Sequence, residues 1–231
     1  MHGAILLAAG SGSRMGNQTN DKILEKIGNS NAFRMCLLAF VKIQQISNVV
    51  IVFRDQKQKE RLESEINQFA TSSKASFFFV QGGEERRDSV RNGLDALPPS
   101  CKFAHIHDCA RPLIRTETIA KMIDEVEKNI PIAVARPATN TIRKKISGST
   151  HVHTKTLDRS QLWEMETPQS APLAWFREGY AKAKEMGISI TDDMHTIELL
   201  SKKMLLLNPV YPNPKITHSY DLNYISALIE S

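Results

Sequence analysis

Short apolar runs alternate with amphipathic segments along most of this 231-residue chain. In residues 116–128, for example, Ile119, Met122, Ile123 and Val126 follow the i, i+3, i+4, i+7 spacing of a helix with one buried face. The alternation predicts an α/β fold with a mostly parallel central sheet. Strands are predicted at residues 4–9, 48–53, 76–80, 103–107, 131–135 and 204–207, and helices at 32–46, 56–70, 88–97, 116–128, 173–186, 193–201 and 219–229.

Residues 138–165 interrupt this rhythm. They form alternating, polar, Thr- and Lys-rich segments on either side of Ser147-Gly148-Ser149, which predicts a β-hairpin extending from the sheet. An isolated hairpin is only marginally stable in water, so we expect this arm to pack against a second subunit. No repeat or linker interrupts the rest, so we predict one domain over residues 1–231 with a dimerisation arm at 138–165.

Composition narrows the class of protein. Hydrophobic residues make up 41% and charged residues 24%, as in an ordinary globular domain, and no apolar run is long enough for a transmembrane helix. The start of the chain lacks the pattern of a secretory signal, and three cysteines without CxxC spacing indicate reduced thiols. We therefore expect a cytoplasmic protein with no membrane partner.

The net charge of +5 is modest, and no dense Lys/Arg run with interleaved aromatics is present. This argues against a nucleic-acid partner. A small positive balance also suits a protein that handles small phosphorylated substrates.

A glycine-rich loop follows the first predicted strand, in the segment AILLAAGSGSRMG. It carries Arg14, and Lys22 follows, so backbone N–H groups and two cations lie where a strand ends, as in a phosphate site. Met15 replaces the third glycine of the dinucleotide fingerprint, and no Gly-Lys-Ser/Thr ending completes a P-loop. The remaining interpretations are a sugar-nucleotidyltransferase type of loop, LAAGxGxRM, or an ordinary strand-to-helix turn.

Two further segments combine loop geometry with polar side chains. In GGEERRDSV the two glycines allow close backbone approach and Ser89 can bind a base or ribose, although a plain turn with Asp88 as helix N-cap fits equally well. In HDCARP an acid at a strand end, followed by Arg111, suits a Mg²⁺–phosphate site. The alternative is a structural pair between Asp108 and Arg111 that closes the loop.

Other candidates are weaker when taken alone. Thr167 and Lys215 suit phosphate binding but are also ordinary loop residues, and Thr191-Asp192-Asp193 offers either a second carboxylate or a helix N-cap. His105 and His107 fall on one face of a predicted strand, but without a third ligand they favour packing over a metal site, and the same holds for His151 and His153. No nucleophile motif stands out, which fits a reaction whose nucleophile is already an ionised phosphate.

Taken in order, these segments resemble the 2-C-methyl-D-erythritol 4-phosphate cytidylyltransferase family over about residues 3–226. The resemblance rests on nine motifs: LAAGSGSRM, Lys22, GGEERRDSV, HDCARP, Asn140-Thr141-Ile142, Asp158-Arg159-x-x-Leu162-Trp163, Thr167-Pro168-Gln169, Thr191-Asp192-Asp193 and Pro214-Lys215-Ile216-Thr217. It implies a Rossmann-like nucleotidyltransferase fold with helices on both faces of the sheet and a protruding β-arm. It also implies transfer of CMP from CTP to methylerythritol phosphate with Mg²⁺ as cofactor, in the non-mevalonate isoprenoid pathway, by a homodimer.

The resemblance also implies a role for each motif residue. Arg14, Lys22 and Lys215 would be catalytic, and Asp108 would bind Mg²⁺ and contact substrate. The nucleotide would be held by Ala8, Ala9, Gly10, Ser11, Gly12, Gly82, Gly83 and Ser89. Methylerythritol phosphate would be bound by Arg111 and Thr167 and, from the partner's arm, by Thr141 and Arg159.

The chain departs from the family pattern at several positions. Asp21 precedes Lys22 after a loop that is one residue longer than usual, Asn140 replaces an Asp, and Pro214 replaces an Ile. An acid beside Lys22 can draw its charge from the nucleotide, which leaves an inactive nucleotide-binding homologue as one alternative. A ribitol 5-phosphate cytidylyltransferase is a second alternative. An NAD-dependent oxidoreductase is disfavoured by Met15 and by the lack of an acid after the second strand.

Overall fold

The structure is a computed structural model that describes residues 1–10, 21–70 and 72–230. Ser11, Gly12 and Arg14, which were singled out in the first glycine-rich loop, lie outside the described residues. Helices and strands otherwise follow the predicted alternation. The strands are β1 His2–Leu7, β2 Lys26–Ile27, β3 Ser30–Asn31, β4 Ile46–Phe53, β5 Ser76–Gln81, β6 Phe103–Asp108, β7 Ile132–Pro137, β8 Arg143–Ser147, β9 His153–Thr156, β10 Trp163–Pro172 and β11 Leu205–Leu207, and the helices are α1 Ala32–Val41, α2 Gln56–Phe69, α3 Arg86–Ala96, α4 Thr116–Val126, α5 Leu173–Glu185, α6 Asp193–Leu199 and α7 Tyr220–Glu230.

Seven strands of the described ranges form one sheet in the order β11-β7-β10-β6-β1-β4-β5. Every neighbouring pair is parallel except those that involve β10, which runs antiparallel between β7 and β6. The prediction of a mostly parallel α/β sheet is therefore confirmed. Strand β1 lies between β6 and β4, with Leu7 level with Asp108 on one side and Val52 on the other, so the carboxyl ends of three strands meet at one edge. Ligands bind at this edge in open α/β sheets.

Helices cover both faces of the sheet. Side chains of β1 alternate between the faces: Ala4 and Leu6 pack with α1, α2, α4 and α7, whereas Ile5 packs with α3, α5 and α6. Phe33 and Phe40 of α1 and Phe176 of α5 are among the largest fully buried side chains. This two-sided core explains why the strands read as continuous apolar runs rather than alternating ones.

Two predictions from local pattern were wrong. Helix α1 ends at Val41 rather than at residue 46, because Ile43 and Ile46 close successive turns by backbone hydrogen bonds to Phe40 and Ile43. Thr167 lies inside strand β10, not in a loop, and that strand had not been predicted. The first residues of β10, Trp163–Met165, pair with β7, so the last part of the 138–165 segment belongs to the main sheet.

The predicted hairpin is confirmed as the β8–β9 ladder, with Gly148 at φ +92° in the connecting turn. Arg143–Ser147 are all exposed, and Ile146 and Val152 expose 65% and 46% of their surface. Lys144 lies opposite Lys155 in the ladder. Two like charges across a strand pair are unfavourable without a neighbouring acid, so within one chain this arm has little to stabilise it.

The three cysteines are buried free thiols, as predicted. No helix of the described residues is both long and apolar enough to cross a bilayer.

Three buried histidines near β6 have lowered pKa values. His105 stacks on His2 and bonds it at 3.0 Å, while His107 bonds the hydroxyl of Thr167 at 3.1 Å. Burial lowers the pKa of His105 to about 3 and of His107 to about 4, and burial also lowers that of His2 despite its bond to Glu127. The folded protein therefore binds protons at these rings less readily than the unfolded chain.

We expect the free energy of unfolding to fall as the pH drops below about 6.5, the unfolded value for histidine. Because the folded pKa values are depressed, this stability is complete above that pH and is lost toward pH 3–4. Each ring contributes up to about 1.4 kcal/mol per pH unit. Urea unfolding at pH 7.5, 6 and 5 would measure it, and the slope should persist in about 0.5 M NaCl because its cause is burial. Constant stability over this range would contradict the expectation.

Candidate active site

An open cavity of about 540 Å³ lies at the carboxyl edge of the sheet, above β1 and β6. Eight of the residues selected from the sequence line it: Ala8, Ala9, Gly10, Lys22, Gly83, Ser89, Asp108 and Lys215. They come from five separate segments of the chain. The sheet order brings these segments together, because β1, β4, β5 and β6 all end at this edge.

Asp108 is the last residue of β6 and projects into the cavity. Its Oδ2 contacts the Nζ of Lys215 at 2.5 Å, its Oδ1 accepts from the Nε of Arg86 at 3.2 Å, and its backbone N–H donates to the hydroxyl of Thr167 at 3.1 Å. Burial disfavours the charged carboxylate, but the attraction of Arg86 and Lys215 outweighs it and holds the pKa of Asp108 well below its usual range. The cavity therefore contains an ionised carboxylate flanked by two cations.

Lys22 and Lys215 reach the cavity from opposite ends of the sequence. Ile216 bonds by its N–H to the carbonyl of Ala110, and its own carbonyl accepts from the Nζ of Lys22 at 2.8 Å. This short segment after Pro214 therefore holds both lysines beside the end of β6. Such a cluster of cations suits phosphate oxygens.

The second glycine segment forms another part of the wall. The N–H of Gly82 bonds Phe53 and that of Gly83 bonds the hydroxyl of Ser89 at 3.1 Å. A Cβ at Gly82 would lie 2.7 Å from the Cβ of Ala9, so no side chain fits between the two loops. The backbones of the two glycine-rich segments therefore approach each other closely at this wall, as the glycines predicted.

Helix α3 begins at Arg86, earlier than predicted. The alternative in which Asp88 is the N-cap is wrong: Glu85 is the N-cap residue, and Asp88, three residues later, accepts from the N–H of Glu85. This places Arg86 in the first turn, facing the cavity.

Five of the selected residues that the structure describes do not line the cavity: Gly82, Arg111, Thr141, Arg159 and Thr167. Thr167 is buried with its hydroxyl engaged, and Arg111 donates to the carbonyl of Asn213 at 3.0 Å, 3.7 Å from Glu166. Asp108 and Arg111 therefore do not form the direct side-chain pair of the structural alternative, because each side chain has other partners. Thr141 and Arg159 are exposed near the arm, where Arg159 donates to Thr139 at 2.6 Å.

Asp21 is almost fully buried on the far side of Lys22. Its Oδ2 accepts from the Nε2 of Gln58 at 2.6 Å and lies 3.7 Å from Arg54, while burial raises its pKa. The carboxylate is therefore directed toward α2 and Arg54, which also lines the cavity.

The remaining polar motifs have structural partners. Asp192 is the N-cap of α6, as one alternative proposed, and Asp193 pairs with Arg86. His105 bonds Ser170 at 2.7 Å, and His107 contacts Cys36 at 3.5 Å. Among the described residues no group of three or more His, Cys, Asp or Glu could hold a metal ion by itself. A cation at Asp108 would therefore need ligands from a bound substrate.

Sequence reasoning missed several residues of the cavity: Arg54, Glu84, Glu85, Arg86 and Thr217. Arg86 is the most consequential of them, because it contacts Asp108. Its position three residues after Gly83, at the start of a helix, was the available signal. No feature of the sequence indicated which carboxylates it would meet.

Comparison with known proteins adds an independent result. The family model described as 2-C-methyl-D-erythritol 4-phosphate cytidylyltransferase matches residues 3–231. The enzyme of that name from Prochlorococcus marinus is 33% identical over 98% of this chain and 97% of its own length. The chloroplastic one from Oryza sativa is 33% identical over 94% of this chain and 71% of its own.

Solved structures agree with the fold. The 4-diphosphocytidyl-2C-methyl-D-erythritol synthase from Anaerococcus prevotii superimposes with a TM-score of 0.83 at 23% identity, covering 100% of this chain and 99% of its own. The Thermus thermophilus cytidylyltransferase gives a TM-score of 0.74 at 22% identity, with 100% of both chains covered. At these identities the likeness concerns the fold.

Proposed function

The chain belongs to the 2-C-methyl-D-erythritol 4-phosphate cytidylyltransferase (IspD) family, a nucleotidyltransferase family of isoprenoid biosynthesis, and from this premise we propose its reaction in detail. It transfers CMP from CTP to methylerythritol phosphate with Mg²⁺ and releases pyrophosphate. The observation that carries the proposal is the Asp108 carboxylate, held between Lys215 and Arg86 in the cavity where both glycine segments end.

The proposed chemistry needs no protein nucleophile. A phosphomonoester is largely a dianion at neutral pH, so its oxygen can attack the α-phosphorus of CTP directly. A new P–O bond forms as the bond to the pyrophosphate leaving group breaks. The protein has to hold the two phosphates in line and offset the negative charge that gathers between them.

The cavity residues suit these tasks. Backbone groups of Ala8–Gly10 and of Gly83, with Ser89, line the side where the nucleotide would lie. Lys22 and Lys215 place two ammonium groups beside the strand end, where they would neutralise the reacting phosphates together with Arg14 of the first loop.

Asp108 would hold the Mg²⁺ ion. It is ionised and lines the cavity, and within the described ranges no group of three or more His, Cys, Asp or Glu forms a preformed cage around it. Mg²⁺ is commonly held by one or two carboxylates together with substrate phosphates. The residues present therefore fit the ion. When bound, it would supply positive charge to the phosphate oxygens.

The arm supports the proposal of a homodimer. Its side chains are exposed, and neither Thr141 nor Arg159 lines the cavity of its own chain. In the proposed dimer they bind methylerythritol phosphate in the neighbour's site, beside that chain's Arg111 and Thr167.

Pyrophosphate release from CTP and Mg²⁺, measured with methylerythritol phosphate and ribitol 5-phosphate in parallel, tests the reaction. Release with the first acceptor is the expected result. Release with ribitol 5-phosphate alone would replace the acceptor, and CTP binding without release in either reaction would favour an inactive homologue.

We expect Arg159→Ala to be nearly inactive as a homodimer and to recover activity when mixed with Asp108→Ala chains. In a mixed dimer the Asp108→Ala chain lends an intact arm to the intact cavity of its partner. Random mixing should restore about one quarter of wild-type turnover, since half of the dimers carry one good site each. Activity equal to the sum of the two parents would contradict a shared site.

A further inference from the structure

The guanidinium of Arg86 bridges two carboxylates. Its NH1 and NH2 groups donate to the two oxygens of Asp193 at 3.0 and 2.8 Å, and its Nε donates to Asp108 at 3.2 Å. A planar guanidinium can make such a two-pronged bond and still offer its third edge in a fixed direction. The orientation of Asp193 therefore determines the direction from which Arg86 meets Asp108.

Asp193 is itself rigidly held. Its side chain is fully buried, its Oδ1 accepts from the hydroxyl of Tyr180 at 2.6 Å, and its N–H and that of Met194 both donate to the Oε1 of Gln169. A buried carboxylate is costly unless it is paired and hydrogen-bonded, and these partners meet that requirement.

The contacts of Arg86 do more than join two helices. The two-pronged bond from Arg86 to Asp193 would be enough to hold α3 against α6. The third bond, to Oδ1 of Asp108, connects this pair to the cavity and occupies one of the two oxygens of the Asp108 carboxylate. The other oxygen, Oδ2, accepts from the Nζ of Lys215, which lines the cavity.

We propose that Asp193 is a positioning residue of the reaction: through Arg86 it fixes the orientation of the Asp108 carboxylate, so that Oδ2 stays on the side of Lys215 and the cavity, where the metal ion would be bound. The inference rests on the proposed function, since it concerns the residue assigned there to Mg²⁺. Asp193 does not line the cavity, so its effect has to pass through Arg86.

Asp193→Asn is the direct test. The amide keeps the size of the side chain but turns one acceptor into a donor, which cannot pair with the second guanidinium nitrogen. We expect Mn²⁺ binding in the presence of CTP, followed by electron paramagnetic resonance, to weaken about tenfold and kcat to fall about 10–100-fold, as for other residues that orient metal ligands. Excess Mg²⁺ should recover part of the turnover, which a purely structural defect would not allow.

A matched control is available on the other side of the sheet. Arg34 makes the same kind of two-pronged bond to Glu65 between α1 and α2, at 2.7 and 3.1 Å, away from the cavity. Glu65→Gln should leave Mn²⁺ binding unchanged. Loss of Mn²⁺ affinity in both variants would overturn the inference, because any broken ion pair would then have the same effect.

A double-mutant comparison distinguishes a positioning role of Asp193 from a general loss of structure. If Asp193 acts through Arg86, Asp193→Asn should weaken Mn²⁺ binding no further in an Arg86→Met background. Equal weakening in both backgrounds, or unchanged binding in the single variant, would overturn the proposal.

Tyr180→Phe keeps the test available if the asparagine variant fails to fold, because it removes one bond to Asp193 without unpairing a charge. We expect about threefold weaker Mn²⁺ binding, the scale of one lost hydrogen bond, and unchanged binding would contradict the inference. Mn²⁺ binding with CTP is measured without the acceptor substrate. Its result therefore does not depend on whether methylerythritol phosphate is the acceptor, which pyrophosphate release by the wild-type protein tests separately.

Discussion

Asp108→Asn is expected to lower kcat for pyrophosphate release about 10²–10³-fold, the range found when one electrostatic contact to a reacting group is removed. The carboxylate faces the cavity and carries the negative charge to which Lys215 and Arg86 are both drawn. An amide of the same shape keeps the packing at the end of β6 but loses the charge that would hold Mg²⁺. The fold should survive, since Arg86 retains its two bonds to Asp193.

The measurement is steady-state pyrophosphate release at saturating CTP and Mg²⁺, with thermal unfolding of the same samples. Asp124→Asn, the same change at an exposed position on α4, is the control and should retain wild-type turnover. If Asp108→Asn kept more than about a tenth of wild-type kcat, Asp108 would not be the metal ligand that the proposal requires.

The edge of the sheet was predictable because its signals are local. A strand-length apolar run followed by glycine, or by Asp108, marks where a parallel strand ends, and all such ends share one edge. The segments from Ala8–Gly10, Gly83 and Asp108 therefore had to meet if the fold was right, and they do.

Strand β10 was not predictable from the same kind of signal. Its sequence, WEMETPQSAP, contains two prolines and does not alternate, both of which argue against a strand inside a sheet. The structure accommodates Pro168 where the pairing with β7 shifts register between Met165 and Gln169. Burial by the neighbouring strands outweighs the poor local propensity.

The contacts of Arg86 illustrate a second limit. Asp108 and Asp193 lie 22 and 107 residues further along the chain, so their meeting depends on how β6 and α6 pack. The arm shows a third limit. Its hairpin was evident from alternation and Gly148, but the surface proposed to cover its exposed lysines would belong to a second subunit, which the sequence of one chain does not describe.

Lys22→Ala is expected to lower kcat about 10²–10³-fold and to change the affinity for CTP by much less. Lys22 is held beside Lys215 through the carbonyl of Ile216, at the cavity wall. Negative charge increases on the α-phosphate as the new bond forms, so an ammonium group there favours the transition state over bound CTP. The resemblance that assigns Lys22 gives Arg14 the same role, and Arg14→Ala should behave alike.

Calorimetric CTP binding and kcat should be measured on the same preparations, with Lys128→Ala as control, since Lys128 pairs with Glu125 on the exposed side of α4. The ratio of the two losses decides the role of Lys22. A large loss in kcat with little change in CTP affinity assigns it to the transition state, whereas equal losses would mean that it binds ground and transition states alike.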